Sequence, residues 1–391
     1  MILPARMALA ALLAAAGAAP ALVSAAPVRP SDPEYVVAEL PGGASRAQQR
    51  LPGQLEEARK DPKKAAALAR ELLEQARTTQ QPQLFGRAES VLAPWVSQPQ
   101  APGELLVMQA DILQQRHEFQ EATRVLDGVI TRNPSDQQAR LMRANTAIVT
   151  GQFARARPDC AWLAAQDTFI GSVCLAQVLG ATGQREQALT LLRTLNAGGI
   201  PNHPDLQSWA LQVEADLDSR AGELPAAEPL LRRAVTLTPN YEPVRLALAD
   251  VLAQEGQRAD AEQVLDVARP SAGILVRRVE LLQADKRDAE RKQALDELQE
   301  RLAVSAQRGE RPHLREETRL ALDLGGPPAH GLALARDNFA VQRETEDVRL
   351  LARAVQAAAD SQARAALKQW LATNHYQDVV VEHLLDSGHT L

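Results

Sequence analysis

The chain has 391 residues, with 43 Lys and Arg against 49 Asp and Glu, which gives a formal net charge of −6 at pH 7. A nucleic-acid-binding protein would show a basic stripe, so this acidic balance argues against that class. Aromatic residues make up 3% of the chain, which leaves few stacking platforms for bases or sugars.

Residues 1–26 are predicted to be a secretory signal peptide. Arg6 supplies a positive n-region, Met7–Ala19 is an apolar stretch, and small residues precede the favoured cleavage point after Ala25. The alternative is an uncleaved membrane anchor, but the apolar run is short and is interrupted by a glycine and a proline. We therefore expect a periplasmic protein without a stable membrane span in its mature chain.

The next two segments are predicted to be a tether and a helical cap. Residues 27–52 hold many Pro, Gly and Ser residues without a period, which is typical of a flexible tether. Residues 53–100 contain two helix starts, at Asp61-Pro62 and at Pro82, each followed by apolar residues at helical spacing. These helices are expected to cover the exposed apolar face of whatever repeat follows.

Five pairs of alanines recur between residues 101 and 275, and the two members of each pair are twelve positions apart. The pairs are Ala110/Ala122, Ala144/Ala156, Ala176/Ala188, Ala215/Ala227 and Ala249/Ala261. Successive units start 34, 32, 39 and 34 residues apart, and such a period indicates a stacked repeat array. The long third step falls in residues 197–204, which we interpret as a longer loop.

Each unit is predicted to be a helix, a tight turn and a second helix. Alanine lets two helix axes approach to about 8 Å. Seven residues after the first alanine comes a turn residue, which is His117 in the first unit and then Gly151, Gly183, Gly222 or Gly256. Glycine ends a helix because it accepts positive φ without a Cβ penalty. A larger buried residue follows the second alanine by four, as Leu126, Cys160, Leu192, Leu231 or Leu265.

This pattern of small residue, glycine, small residue and large residue, with Pro134 and Pro239 after the second helix of two units, resembles the tetratricopeptide repeat family. The resemblance covers less than half of the chain, and each unit alone is a degenerate match. It implies an all-α fold, a right-handed α-solenoid of stacked antiparallel helix pairs. Residues 276–391 continue with degenerate helical repeats, and no segment alternates with the period of a strand.

Cys160 and Cys174 are the only cysteines of the chain. They lie in helices of adjacent repeats that are expected to pack together, and an oxidising compartment would join them in a disulfide. Two buried thiols that never meet remain the alternative. The spacing excludes a CxxC redox site.

The chain shows no catalytic or cofactor motif that would indicate an enzyme. No acidic pair lies in a sequence context that predicts a shifted pKa, so catalytic carboxylates are not indicated. Three histidines cluster in the tail, at His375, His383 and His389, but their spacing does not place them on one helix face. A metal- or small-ligand-handling protein that uses these histidines is the alternative function.

In the tetratricopeptide repeat family, the first helices of successive repeats line a concave groove that binds partners. The residue after each first alanine is expected to face this groove, which gives a stripe of Asp111, Asn145, Gln177, Asp216 and Asp250. The residue three before it gives a second stripe of Val107, Leu141, Val173, Gln212 and Leu246. Family members that hold a C-terminal carboxylate use lysines and arginines there, so that activity is not carried over.

An acidic and amide stripe beside a mostly apolar one suits an extended or helical peptide with basic and apolar side chains. Ordinary solvated surface is the competing interpretation of the polar stripe. Together these features predict a non-catalytic periplasmic scaffold that needs no cofactor and binds another exported protein or peptide.

Overall fold

The computed structural model describes residues 53–79, 81, 83–198, 203–307 and 313–386. The predicted signal peptide, the tether, His389 and part of the 197–204 loop lie outside these residues. Within the described part the regular structure is entirely helical, with a helical segment at 53–58 and nineteen further α-helices.

The helices follow one another in antiparallel pairs joined by short turns. The capping helices and the five repeats contain α1 (Pro62–Thr79), α2 (Gln83–Val96), α3 (Gly103–Gln115), α4 (Phe119–Arg132), α5 (Gln137–Val149), α6 (Phe153–Gln166), α7 (Thr168–Ala181), α8 (Arg185–Gly198), α9 (Pro204–Arg220), α10 (Leu224–Leu237), α11 (Glu242–Gln254) and α12 (Arg258–Val264). The later helices are α13 (Ala272–Ala284), α14 (Asp288–Gln307), α15 (Leu314–Asp323), α16 (Pro328–Val341), α17 (Thr345–Ala358), α18 (Ser361–Asn374) and α19 (Val379–Asp386).

The ten spaced alanines lie where the helices of the repeats cross. Each is at most 2% exposed, and the large residue that follows each second alanine is at most 3% exposed. At these positions a larger side chain would hold the helix axes apart. The period seen in the sequence is therefore the spacing of the contacts that pack one helix of a repeat onto the next.

The turn between the two helices of each repeat requires one left-handed residue. The glycines of repeats two to five have φ values of 70°, 73°, 79° and 77°. His117 takes the same conformation in repeat one, with φ of 60°, and its ring stacks on Phe119 at a centroid distance of 5.5 Å. A shared backbone conformation thus explains why one non-glycine residue holds an equivalent place.

The predicted disulfide is present between Cys160 and Cys174, whose Cα atoms lie 5.3 Å apart. It joins α6 to α7, which are separated by the single residue Asp167. The two helices approach so closely that a Cβ atom on Gly171 would lie 1.9 Å from the backbone nitrogen of Ala164. Both cysteines are fully buried at this crossing.

The last helices do not extend the array away from the repeats; they pack back onto it. We use the name C-terminal unit for residues 328–386, which contain α16 to α19. Its buried residues Val348, Val355 and Val381 belong to one apolar core with Phe153 and Val178 of repeats two and three. The chain thus covers part of its own repeats with its later helices.

No helix among the described residues is long and apolar enough to cross a membrane.

Candidate protein-interaction surface

Two residues of the predicted acidic stripe are bound by later parts of the same chain. Asp216 accepts a hydrogen bond of 2.7 Å from the Thr345 hydroxyl at the start of α17, although its side chain stays 44% exposed. Asp250 accepts hydrogen bonds from the guanidinium groups of Arg277, at 2.6 and 2.9 Å, and Arg319, at 3.1 Å. Both carboxylates, which were predicted to face the groove, already have partners within the molecule.

Arg277 and Arg319 belong to a buried network of charges. Both also donate to Glu346, at 2.9 and 2.6 Å, and Arg319 binds Glu280 at 2.5 Å. Burial alone would raise the pKa of Glu346, but the surrounding guanidinium groups outweigh burial and hold that pKa well below its ordinary value. For Glu280 the effect of burial is larger than that of the neighbouring Arg319 guanidinium, and the pKa of Glu280 is raised. The sequence around these carboxylates does not indicate their pKa shifts, because the network forms between segments that are distant in the chain.

The other polar residues of the stripe are recessed. Asp111 forms an ion pair with Arg77 of α1, and only 16% of its side chain is exposed. Asn145 and Gln177 are half-buried, and the Oε1 atom of Gln177 is buried without a hydrogen-bond partner in the described structure. Of the stripe, Asp111, Asn145 and Gln177 therefore offer little free surface.

The second stripe lies deeper than predicted. Val107 and Val173 are 9% and 0% exposed within the apolar core, while Leu141, Gln212 and Leu246 are half-buried. Helix geometry explains the difference. At 100° per residue, a position three before the packing alanine lies only about 60° from it around the helix axis, whereas the following residue lies about 100° away. The nearer position packs between neighbouring first helices.

The C-terminal unit contacts the edge of the array that is formed by the turns of the repeats. We use the name turn edge for residues 149–152, 180–184 and 219–223, which connect the paired helices of repeats two, three and four. The first helix of each repeat ends here, so its last carbonyl groups lack helical partners and carry partial negative charge. Such a surface favours cationic side chains that donate hydrogen bonds.

Arginines supply those donors. The Arg343 side chain donates to the carbonyl of Thr150 at 2.8 Å, and Arg349 donates to the carbonyl of Ser219 at 3.0 Å. Arg220 donates in the opposite direction, to the Gln377 carbonyl at 3.0 and 2.8 Å, and it also binds the carbonyl of Gly180 at 2.9 Å. Sequence analysis missed these residues, because no spacing relates them to the repeat.

Buried side chains complete the contact around Arg220. Its guanidinium lies 4.2 Å from the ring centroid of Tyr376, and burial raises the pKa of that tyrosine to about 12 although the guanidinium opposes the shift. Asp378 accepts from Arg349 at 2.8 Å and has no exposed side-chain surface. The contact combines desolvated ion pairing with aromatic packing, a combination typical of specific protein interfaces.

Two of the three tail histidines, His375 and His383, lie within the part of the chain that the structure describes. His375 is exposed and ends α18 with φ of 52°, and His383 lies on the exposed side of α19. No group of three or more possible metal ligands occurs among the residues that the structure describes.

Stacked helix pairs, packed through alanines and turned by a left-handed residue, define a helical-repeat protein. Residues 220–273 match the tetratricopeptide repeat family model. The chain is an all-α helical-repeat protein that contains a match to tetratricopeptide repeats, and this fold supports a role as a protein–protein interaction scaffold. No curated protein sequence is significantly similar to it.

Three solved structures illustrate the fold. A tetratricopeptide repeat protein of Thermus thermophilus is 17% identical, covers 50% of this chain and 98% of its own, and has a TM-score of 0.37. One from Parabacteroides merdae is 15% identical over 74% of this chain and 99% of its own, with a TM-score of 0.38. A chain of the APC/C hetero-tetramer Cut9–Hcn1 is 13% identical over 78% of this chain and 59% of its own, with a TM-score of 0.45.

Proposed function

We propose that this protein is a non-catalytic scaffold of the periplasm that binds another exported protein. The observation that carries the proposal is the repeat array itself, since tetratricopeptide repeats generally act as interaction scaffolds. The turn edge adds a physical reason, because it already binds polypeptide through helix-end carbonyls and arginines. A scaffold needs only such a surface.

Two features support the periplasmic location. The sequence of residues 1–26 has the organisation of a cleaved export signal. The Cys160–Cys174 disulfide fits an oxidising compartment, where such bonds persist. Sequencing the amino terminus of protein purified from a periplasmic fraction tests the location. We expect it to begin at Ala26, and a chain that retains Met1 and stays in the cytoplasm would contradict the proposal.

The scaffold function is tested by crosslinking mass spectrometry on periplasmic extract of the native host. We expect one exported protein to be enriched over a matched extract that lacks this chain. A protein that stays monomeric and unlinked under these conditions, including at low salt, would contradict the scaffold function.

A further inference from the structure

The C-terminal unit covers the turns of three successive repeats in order. A Cβ atom on Gly151 would lie 2.9 Å from Arg343 Cδ, and one on Gly183 would lie 2.8 Å from the carbonyl oxygen of His375. On Gly222 it would lie 3.1 Å from a methyl group of Val379. The covering residues advance along the chain as the repeats advance, so the contact is one continuous track.

The track ends at repeat five. Gly256 has the same conformation as the other turn glycines, yet no atom lies within 4 Å of its ideal Cβ position. The repeats therefore provide a covered and an uncovered version of the same turn. Being covered is not required for the turn itself to form.

At Gly151 the covering contacts come from an arginine and an aromatic side chain, whereas a backbone carbonyl covers Gly183 and a methyl group of Val379 covers Gly222. The Arg343 backbone N–H also donates to the carbonyl of Val149, at 2.6 Å, so both parts of this residue bind the end of α5. Trp370 packs over Gly151, with its Cζ2 atom 3.1 Å from the ideal Cβ position, and its ring lies 6.4 Å from that of Phe153. Glycine matters here because it lets an indole ring approach the backbone.

This mode of packing differs from that inside the array. Repeats pack on one another through alanines that leave no room for a substitute. The turn edge instead presents carbonyl groups and glycine surfaces, which any arginine and aromatic side chain on a suitable segment can contact. Binding to this surface requires only hydrogen-bond donors and an aromatic ring at suitable positions. A segment from another protein can supply both.

We infer that the turn edge of repeats two to four is the binding surface for a partner segment that bears arginine and an aromatic residue. The C-terminal unit is the resident occupant, and a partner has to displace its arginine contacts to bind. This inference rests on the proposed scaffold function and locates its binding site.

The test places a photo-crosslinking residue, p-benzoylphenylalanine, at matched positions in the full chain. Gln152 follows the covered Gly151, and Gln257 follows the uncovered Gly256. Each of the two crosslinker positions is introduced into the otherwise wild-type protein and into the Arg343→Ala/Arg349→Ala double variant. All four proteins are expressed in the native host. Hydrogen exchange of purified protein reports whether α5 and α7 become less protected in that variant.

We expect the double variant to open the contact and to raise partner adducts at Gln152 by about tenfold, with no change at Gln257. The linked partner peptide, sequenced by mass spectrometry, is expected to contain arginine and an aromatic residue. If the double variant loses helical circular dichroism, Arg349→Ala alone replaces it in the same comparison.

Three results would overturn the inference. One is unchanged hydrogen exchange, which would make the contact a permanent part of the core. Another is an equal rise of adducts at both positions, and the third is a linked segment without arginine. A partner that is found by general crosslinking but never at Gln152 would contradict the turn-edge site and leave the scaffold function supported. If neither method finds a partner, both the scaffold function and the turn-edge site are contradicted.

Discussion

The repeats contact one another through alanines that are at most 2% exposed, whereas the C-terminal unit adds arginine and aromatic contacts to the apolar core that it shares with the repeats. An alanine contact works only at a fixed place on each helix, so it recurs with a period. A guanidinium group on a long side chain reaches a carbonyl from several backbone positions. The comparison shows that close helix packing produces a periodic sequence pattern, whereas contacts made by long, flexible side chains do not.

The largest effect is expected for an arginine placed inside the repeat packing. Ala227 is fully buried on α10, and its neighbour Ala226 is exposed. We expect Ala227→Arg to lower the free energy of unfolding by more than about 3 kcal/mol, because a long charged side chain cannot enter a helix crossing. Urea denaturation followed by circular dichroism measures this. Ala226→Arg is the control, and equal stability of both variants would mean that the packing register is wrong.

The next effect concerns the contact of the C-terminal unit. Arg220 is 6% exposed and binds two carbonyl groups and the Tyr376 ring. We expect Arg220→Ala to cost about 2–4 kcal/mol, since it leaves buried carbonyl groups without donors. The exposed Arg258, which pairs with Asp285 at 2.7 Å, is the control, and its replacement by alanine should cost less than about 1 kcal/mol. Thermal unfolding measures both variants. A similar loss of stability in the two would contradict a larger contribution of Arg220 to the contact with the C-terminal unit.

Alanine substitutions at two turn glycines separate two contributions to the free energy of unfolding. One comes from the left-handed turn conformation, and the other from contact with the C-terminal unit. Gly183→Ala and Gly256→Ala both place a Cβ on a left-handed residue, at about 1–2 kcal/mol each. Only at position 183 does that Cβ also meet the backbone of His375, which should add about 1–3 kcal/mol. Thermal unfolding of the two variants measures the difference. Equal destabilisation of the two variants would mean that the C-terminal unit does not pack tightly against the turn at Gly183.

The smallest effect is a pH dependence from the buried charge network. The pKa of Glu346 is depressed in the folded protein, so its carboxylate stabilises the fold above the unfolded pKa and this stabilisation is lost as pH falls. Between about pH 5 and pH 3, wild-type protein should lose on the order of 1 kcal/mol more than Glu346→Gln. Denaturant midpoints across this range test it. Parallel curves for the two proteins would show that Glu346 does not titrate with folding.

The sequence was sufficient to predict the helix pairs, the crossing alanines and the turn residues, because each depends on contacts within one repeat or between neighbours. The disulfide followed for the same reason, since Cys160 and Cys174 lie in consecutive helices. Asp216 and Asp250 were placed on the inner face by helix geometry, but their partners Thr345 and Arg319 are 129 and 69 residues away. No local pattern encodes such pairings, so the covered turn edge could not be predicted.

The contact of the C-terminal unit also has a consequence in time. It joins residues that lie 130 to 193 positions apart, such as Arg349 with Ser219 and Arg343 with Thr150. Because closing so long a loop costs more entropy than a local contact, this contact is expected to form after the contacts within and between neighbouring repeats. Before it forms, the repeats can fold from local contacts while Phe153 and the helix-end carbonyls stay uncovered. A folding chain therefore passes through a stage that exposes apolar side chains and unpaired carbonyl groups, and a high concentration of such chains favours aggregation.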